Sequence, residues 1–231
     1  MEKLITAIVD AFKLLFSFDR EVFTLIGTSF HVSLISTLIA TIIAVPVGVL
    51  FGLSDFRGRR YVDVVFNTML FLPTVVVGHL VYMFLTRDGI FGSLGLLFTR
   101  PAIITGQVIL AAPIILTMVS NAVRVADRRI LSTALTLGVS RFKAYFMLLS
   151  EVKALMMLAV IAGFGRVISE IGVSMMLGGN IENKTRTITT GMAQLTSMGE
   201  FAKATALGIV LLIIVFGVNF IVYSATHRTA H

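Results

Sequence analysis

Two side chains of opposite charge, Arg166 and Glu170, lie four residues apart in an otherwise apolar stretch from Ala154 to Leu177. Residues at this spacing share one face of a helix and can form an ion pair. A single charge at the centre of a membrane costs roughly 2.5–3.5 kcal/mol on insertion scales, so such residues usually face a bundle interior or a water-filled path. We interpret the pair, with Ser169 between the two side chains, either as a structural lock or as part of a pathway or gate.

Other residue types that support chemistry are too isolated to form a site. His31 and His79 have no partner at the spacing of metal ligands, and the sequence contains no cysteine. The glycines between 163 and 179 lack the spacing of a phosphate-binding loop, and no hydrolase pattern is present. The sequence therefore predicts that the chain is not an enzyme: it has no catalytic residue, no metal site and no cofactor of its own.

The composition is that of a membrane protein with several spans. Of 231 residues, 57% are hydrophobic and 13% charged, whereas a soluble domain carries about 25% charge. The net charge of +7 does not indicate a nucleic-acid partner, because the basic residues lie in short runs between apolar stretches. We predict an all-α protein with five transmembrane helices, since each apolar stretch exceeds the roughly 20 residues that cross a bilayer. The predicted spans are Val22 to Ser54, Val64 to Thr86, Pro101 to Val123, Ala154 to Leu177 and Ala204 to Thr226.

The first 18 residues have a different pattern, in which polar residues recur every three or four positions among apolar ones. This pattern predicts an amphipathic helix at 1–18 that lies in the membrane interface, with a signal peptide as the alternative. Small polar residues and glycines in the first span, including Gly48 and Gly52, predict close helix packing. Pro46 and Pro73 are expected to bend their helices.

The loops indicate an orientation, although the bias is small. Ten lysines and arginines lie on one side of the predicted spans and eight on the other, with dense clusters at 57–60 and 124–129 on the first side. We therefore expect these two clusters in the cytoplasm, the N-terminus outside and the C-terminus inside. Lys184 and Arg186 then lie outside, either as ordinary solvated charges or in contact with an acidic partner.

The segment between the third and fourth spans is long for a helix connection. Its pattern predicts one short helix over Ile130 to Leu137 and another over Ser140 to Leu149, with a bend at Gly138. The resulting cytoplasmic elbow is expected either to pack on its own bundle or to present an apolar docking surface to a soluble partner. The apolar residues of that surface are Leu135, Leu137, Val139, Phe142 and Tyr145.

Four blocks of sequence resemble the permeases of ABC importers. The elbow block Ser132 to Gly138 resembles the conserved cytoplasmic loop of that family, with Ser132 in place of its glutamate. The block Leu72 to Gly78 is similar to molybdate and tungstate permeases. The blocks Gly163 to Gly172 and Thr185 to Thr187 are similar to the tungstate-uptake branch in particular.

The resemblance implies a type I ABC importer permease over 22–226, with a coupling loop at 130–150. It implies a homodimer in the prokaryotic inner membrane, with two ATPase subunits that bind ATP and Mg and an extracytoplasmic protein that delivers an oxyanion. Ala134, Leu137 and Gly138 match the family's coupling loop, and Arg141 and Phe142 beside them are expected contacts of the ATPase. Some permeases of the family carry a C-terminal regulatory domain, which we expect to be absent because the sequence ends shortly after the fifth span.

Tungstate is the expected cargo, and molybdate and sulfate are the alternatives within the same type of machine. A channel or secondary transporter that works without ATP is a different class, in which the elbow would have no partner. A membrane-embedded enzyme is a third class, which the few polar residues within the spans do not favour.

Overall fold

The computed structural model describes residues 6, 8, 9, 12, 13, 16, 17 and 19–228. Most of the amphipathic helix expected at 1–18 lies outside these residues, so its interfacial position stays a prediction. Within the described residues the protein is all-helical, without a β-strand, as predicted. The helices are α1 (Arg20–Leu53), α2 (Arg59–Met69), α3 (Thr74–Leu85), α4 (Arg100–Val125), α5 (Arg129–Thr136), α6 (Arg141–Glu151), α7 (Lys153–Ile168), α8 (Gly172–Gly178), α9 (Ile188–Ser197) and α10 (Phe201–Arg228), with a short 3-10 turn at Gly92–Leu94.

Three of the helices, α1, α4 and α10, are long and apolar enough to cross a membrane by themselves. Two further spans are possible if α2 with α3, and α6 with α7, are each counted as one bent span. The 34 residues of α1 correspond to about 51 Å at 1.5 Å per residue, well beyond the thickness of the hydrocarbon core.

The second predicted span is not one helix. Between Met69 and Thr74 the chain turns by 93°, so α2 and α3 are nearly perpendicular. Pro73 precedes the first residue of α3, where its missing N–H costs no helical hydrogen bond. The bend expected at Pro73 is confirmed, although it is a complete break and not a kink. Pro46, in contrast, lies within the continuous helix α1.

The fourth predicted span is also interrupted, which corrects the expectation of one helix from Ala154 to Leu177. The helix α7 ends at Ile168, and α8 begins only at Gly172. No proline is present at this break. The contacts that hold it are those of the candidate site described below.

The core is formed mainly by α1 against α4, with α7 packed against both helices. The close packing predicted at Gly48 and Gly52 is confirmed. A β-carbon at Gly52 would lie 2.6 Å from the β-carbon of Val123, and one at Gly48 would lie 2.8 Å from the carbonyl oxygen of Leu116. Only a glycine allows the two helix backbones to approach this closely.

Candidate coupling and translocation sites

The cytoplasmic elbow predicted from the sequence is formed by α5 and α6, close to the expected bounds. Gly138 has a φ of +78°, a conformation that L side chains rarely adopt. The amide of Gly138 donates to the carbonyl of Leu135, and the amide of Val139 donates to the carbonyl of Ala134. These bonds satisfy carbonyls at the end of α5 and fix the angle at which the chain enters α6.

The outer surface of the elbow is apolar and exposed. Leu137 and Phe142 are each 77% exposed, and Arg141 beside them is also exposed. Ala134 is 3% exposed, so it faces inward and supports the turn without reaching a partner. An open apolar groove follows along α6. It is lined by Val139, Phe142, Lys143, Phe146, Met147 and Ser150.

The inner face of α6 anchors the elbow to the bundle. Ala144 and Leu148 are almost fully buried, and Leu148 belongs to the same apolar core as α1 and α4. Val152 lies in this core as well and connects α6 directly to α7 at an angle of 63°. Because α6, Val152 and α7 share one packed core, a displacement of α6 is expected to move α7 directly.

The second site is the break between α7 and α8. Nη1 of Arg166 lies 2.7 Å from Oε2 of Glu170, so the predicted pairing is confirmed. The other carboxylate oxygen, Oε1, accepts a hydrogen bond of 3.2 Å from the amide of Val173 in the first turn of α8. The hydroxyl of Thr189 donates to the carbonyl of Glu170 at 2.8 Å. One residue thus ties together α7, α8 and α9.

The two charged side chains of this pair differ in their exposed fraction. The side chain of Glu170 is 2% exposed, whereas that of Arg166 is 33% exposed. A buried carboxylate requires a partner and hydrogen bonds, and Glu170 has both. Ser169 is exposed and its hydroxyl donates to the carbonyl of Gly165 at 2.7 Å. Arg166 and Ser169 therefore present polar groups at the break, while Glu170 holds the break together.

Gln107 supports the same break from α4, a role that the sequence analysis does not identify. Its side chain is 1% exposed; Oε1 accepts from the hydroxyl of Ser36 at 2.9 Å, and Nε2 donates to the carbonyl of Val167 at 3.2 Å. The amide therefore bridges α1 and the last turn of α7, where the carbonyl of Val167 also accepts from the backbone amide of Glu170. A single glutamine in the apolar stretch of α4 is the signal that could have identified it.

Helix α8 fits between α3 and α4 because glycines face it on both sides. A β-carbon at Gly106 would lie 2.4 Å from Cγ1 of Val173, and one at Gly78 would lie 3.3 Å from its α-carbon. A β-carbon at Gly172 would lie 2.8 Å from Oγ1 of Thr74, the first residue of α3. The start of α3 thus contacts the break in the fourth span directly.

A third group of charges lies at the opposite end of the bundle from the elbow. Nζ of Lys203 is 2.9 Å from Oε2 of Glu21. Nη1 of Arg186 is 3.8 Å from a carboxylate oxygen of Glu182 and 4.0 Å from one of Glu21. The side chain of Arg186 is only 11% exposed, so its interpretation as an ordinary solvated charge is wrong, whereas Lys184 is exposed. These pairs connect the first turns of α1 and α10 with the loop before α9.

His31 and His79 are both exposed. Among the described residues there is no group of three or more histidine or acidic side chains placed to hold a metal ion.

Taken together, the broken spans, the buried ion pair and the apolar elbow define a membrane permease of the ABC importer type. The fold agrees with solved structures of that class. A bacterial transporter that imports the acidic polysaccharide alginate matches with a TM-score of 0.75 at 19% identity, over 99% of this chain and 90% of that one. The methionine transporter MetNI in an inward-facing conformation matches with a TM-score of 0.69 at 20% identity, over 99% and 98%. These likenesses show the type I fold.

The sequence places the chain more narrowly. Residues 44–230 match the family model of the inner membrane component of binding-protein-dependent transport systems, and the chain belongs to this family. It is 38% identical to the tungstate uptake permease TupB of Peptoclostridium acidaminophilum, over 93% of this chain and 94% of that protein. It is 37% identical to TupB of Campylobacter jejuni over 94% and 92%, and 25% identical to the molybdenum permease ModB of Azotobacter vinelandii over 83% and 88%.

Proposed function

We propose that this chain is the permease subunit of an ATP-driven importer for tungstate. The observation that carries the proposal is the identity of 37–38% to two tungstate uptake permeases over more than nine-tenths of both sequences. Molybdenum permeases match at 25–28% over a smaller part of the chain. Molybdate and sulfate are the competing cargoes of the same machine.

Two copies of the chain form the pathway between them in this proposal, and two ATPase subunits bind the elbows. The ATPases hold ATP and Mg. Exposed Leu137, Arg141 and Phe142 are the contacts of the ATPase, while Gly138 sets the shape of the turn. The elbow then lies in the cytoplasm, with the N-terminus outside and the C-terminus inside.

An extracytoplasmic binding protein delivers the oxyanion at the opposite end. Lys184 is exposed there and is available to an acidic surface, whereas Arg186 is held by acidic residues of the chain itself. The ion pairs at this end serve to hold the outer ends of α1 and α10 in place while the binding protein docks.

Arg166 and Ser169 face the pathway, and Glu170 moderates the charge of Arg166. A dianion that met an unpaired arginine would be held too strongly to leave, because transport requires sites that release the ion as well as bind it. Because Arg166 is paired with Glu170, it keeps N–H donors for the ion, while the net positive charge at this position is reduced. The break between α7 and α8 then acts as a gate that the elbow moves through α7.

Uptake by proteoliposomes tests the proposal. Vesicles that contain the permease with its ATPase, and the binding protein outside, receive labelled tungstate with or without ATP inside. We expect uptake that depends on ATP and on the binding protein, and that resists an excess of molybdate and sulfate. Uptake without ATP would contradict the coupling to an ATPase, and strong competition by molybdate would reassign the cargo.

The Arg166→Ala, Glu170→Ala double variant tests the gate. It removes the pair without leaving a buried carboxylate alone, so assembly should be preserved. We expect ATP hydrolysis to continue and tungstate uptake to fall. Normal uptake by a normally assembled double variant would show that the pair is only structural.

A further inference from the structure

Five charged side chains form a network at the end of the bundle that carries the elbow. Nη1 of Arg128 lies 2.9 Å from Oδ2 of Asp55, and Nη1 of Arg124 lies 3.4 Å from Oδ2 of Asp63. Arg59 lies between these pairs, with Nη1 3.7 Å from Asp55 and Nε 3.7 Å from Asp63. The network therefore connects the start of α2 to the last turn of α4 and the residues that lead into the elbow.

Arg59 is the centre of the network and its only buried member. It is 9% exposed, whereas the side chains of Asp55, Arg124 and Arg128 are 69%, 54% and 54% exposed. Its guanidinium also donates to the carbonyl of Ser54, just after the end of α1. A buried guanidinium needs such partners, because desolvation without them costs several kcal/mol.

The local backbone directs Arg59 inward. Gly58, immediately before it, has a φ of +95°, a left-handed conformation in the turn between α1 and α2. The neighbouring arginines Arg57 and Arg60 are exposed. Of these three arginines only Arg59 is buried. A general preference for positive charge on one side of the membrane would not distinguish Arg59 from its two neighbours.

The other end of α2 leads to the candidate gate. The chain passes from Met69 through the 93° turn to Thr74, whose hydroxyl oxygen would lie 2.8 Å from a β-carbon at Gly172. The same β-carbon would lie 3.3 Å from Oε1 of Glu170. The helix α2 is thus fixed to the base of the elbow at one end and linked through the start of α3 to the Arg166–Glu170 break at the other.

We propose that α2 is a second arm through which the elbow moves the gate, and that Arg59 is the positioning residue that fixes this arm to the elbow. The first arm is the covalent connection from α6 to α7. Two arms that act on opposite sides of the break, α7 on one and α3 on the other, can change its geometry, whereas a single arm would displace it as a whole. This inference rests on the proposed transport function.

The first experiment measures tungstate taken up per ATP hydrolysed in the proteoliposomes described above. In Arg59→Gln we expect the ATPase to bind and hydrolyse ATP while the uptake per ATP falls at least about fivefold, the lower end of typical coupling between sites. Arg60→Gln is the matched control, since it removes the same charge one position away from an exposed side chain. Equal ratios in the two variants would overturn the proposal.

Variants of the exposed ion pair at the edge of the network test the proposal even if Arg59→Gln folds poorly. Asp55→Asn and Arg128→Gln are tested singly and together. If they act as one pair, the combined loss of uptake per ATP equals the larger single loss. Additive losses, or no loss at all, would contradict a role for the network in coupling.

A cross-link tests whether α2 stays fixed to the end of α4 that leads into the elbow. The native sequence has no cysteine, so Asp63→Cys with Arg124→Cys introduces the only thiol pair. Joining the two thiols with a short bifunctional reagent should not lower ATP-driven uptake below that of the same double-cysteine protein before cross-linking, because the arm remains fixed throughout the cycle. Loss of uptake on cross-linking would show that the network must open and would refute the proposal. A parent transporter that takes up no tungstate with ATP would instead refute the proposed function.

Discussion

The elbow and the break in the fourth span differ in how their structure is held. The elbow is shaped by neighbours in sequence: a glycine turn, two local hydrogen bonds and a helix with one buried face. The break depends on residues from α4 and α9, brought together only by the fold. The elbow keeps its apolar side chains exposed for a partner, while the break buries its carboxylate. In the proposed function, the elbow is the surface that binds the ATPase, and the break is the part that opens for the ion.

The largest expected effect concerns the break. Glu170→Ala leaves Arg166 without its carboxylate and removes the hydrogen bond to the amide of Val173. We expect a loss of stability of about 3–5 kcal/mol, as for a buried ion pair that loses one partner. Thermal unfolding of the purified permease in detergent measures it. The Arg166→Ala, Glu170→Ala double variant is the control and should recover much of the loss.

An elbow substitution should leave stability unchanged and impair binding. Phe142 is 77% exposed, so Phe142→Ala removes little packing within the permease. If it inserts into the ATPase, its loss should weaken binding by about 2–4 kcal/mol, the range of an aromatic hot spot. Titration of detergent-solubilised permease with the ATPase measures the affinity. Tyr61→Ala, also 77% exposed but on α2, serves as the control, and an equal loss there would remove the distinction between the two surfaces.

The contrast between local contacts in the elbow and long-range contacts at the break also explains which elements could be predicted from the sequence. The bounds of α5 and α6 follow from local periodicity and Gly138, and the turn at Pro73 follows from the missing N–H of proline. The break after Ile168 has only a weak local signal, the glycines between 163 and 179, since no proline is present. Its position depends also on Gln107 and Thr189, far away in sequence, which donate to the carbonyls of Val167 and Glu170.

The burial of charged residues is a property that charge counts alone do not predict. Of Arg57, Arg59 and Arg60 only Arg59 is buried, and only Arg59 has an aspartate four residues before it and another four residues after it. Arg186 is likewise enclosed, while Lys184 two residues away is exposed. Arg186 has Glu182 four residues before it and Glu21, from the start of α1, within 4.0 Å.

Gln107→Leu tests whether the break depends on distant support. The substitution keeps the approximate size of the side chain but removes the hydrogen bonds to Ser36 and to the carbonyl of Val167. We expect a loss of stability of about 2 kcal/mol, because buried polar groups lose a partner. Unfolding in detergent measures the loss. Full stability of the leucine variant would mean that the break is held by packing.

The smallest expected effect is that of Gly138→Ala in the elbow. At a φ of +78° an added β-carbon meets no other atom within 4 Å, so the cost arises only from the backbone conformation. We expect binding of the ATPase to weaken by about 1 kcal/mol, the lower end of the cost of a left-handed residue. Because this strain tilts α6 and not the membrane break, ATPase affinity should fall while the unfolding temperature of the permease hardly changes. Gly217→Ala in α10, where the added β-carbon also has open space, is the matched control. A lower unfolding temperature with unchanged ATPase affinity would show that the turn stabilises the bundle and does not shape the docking surface.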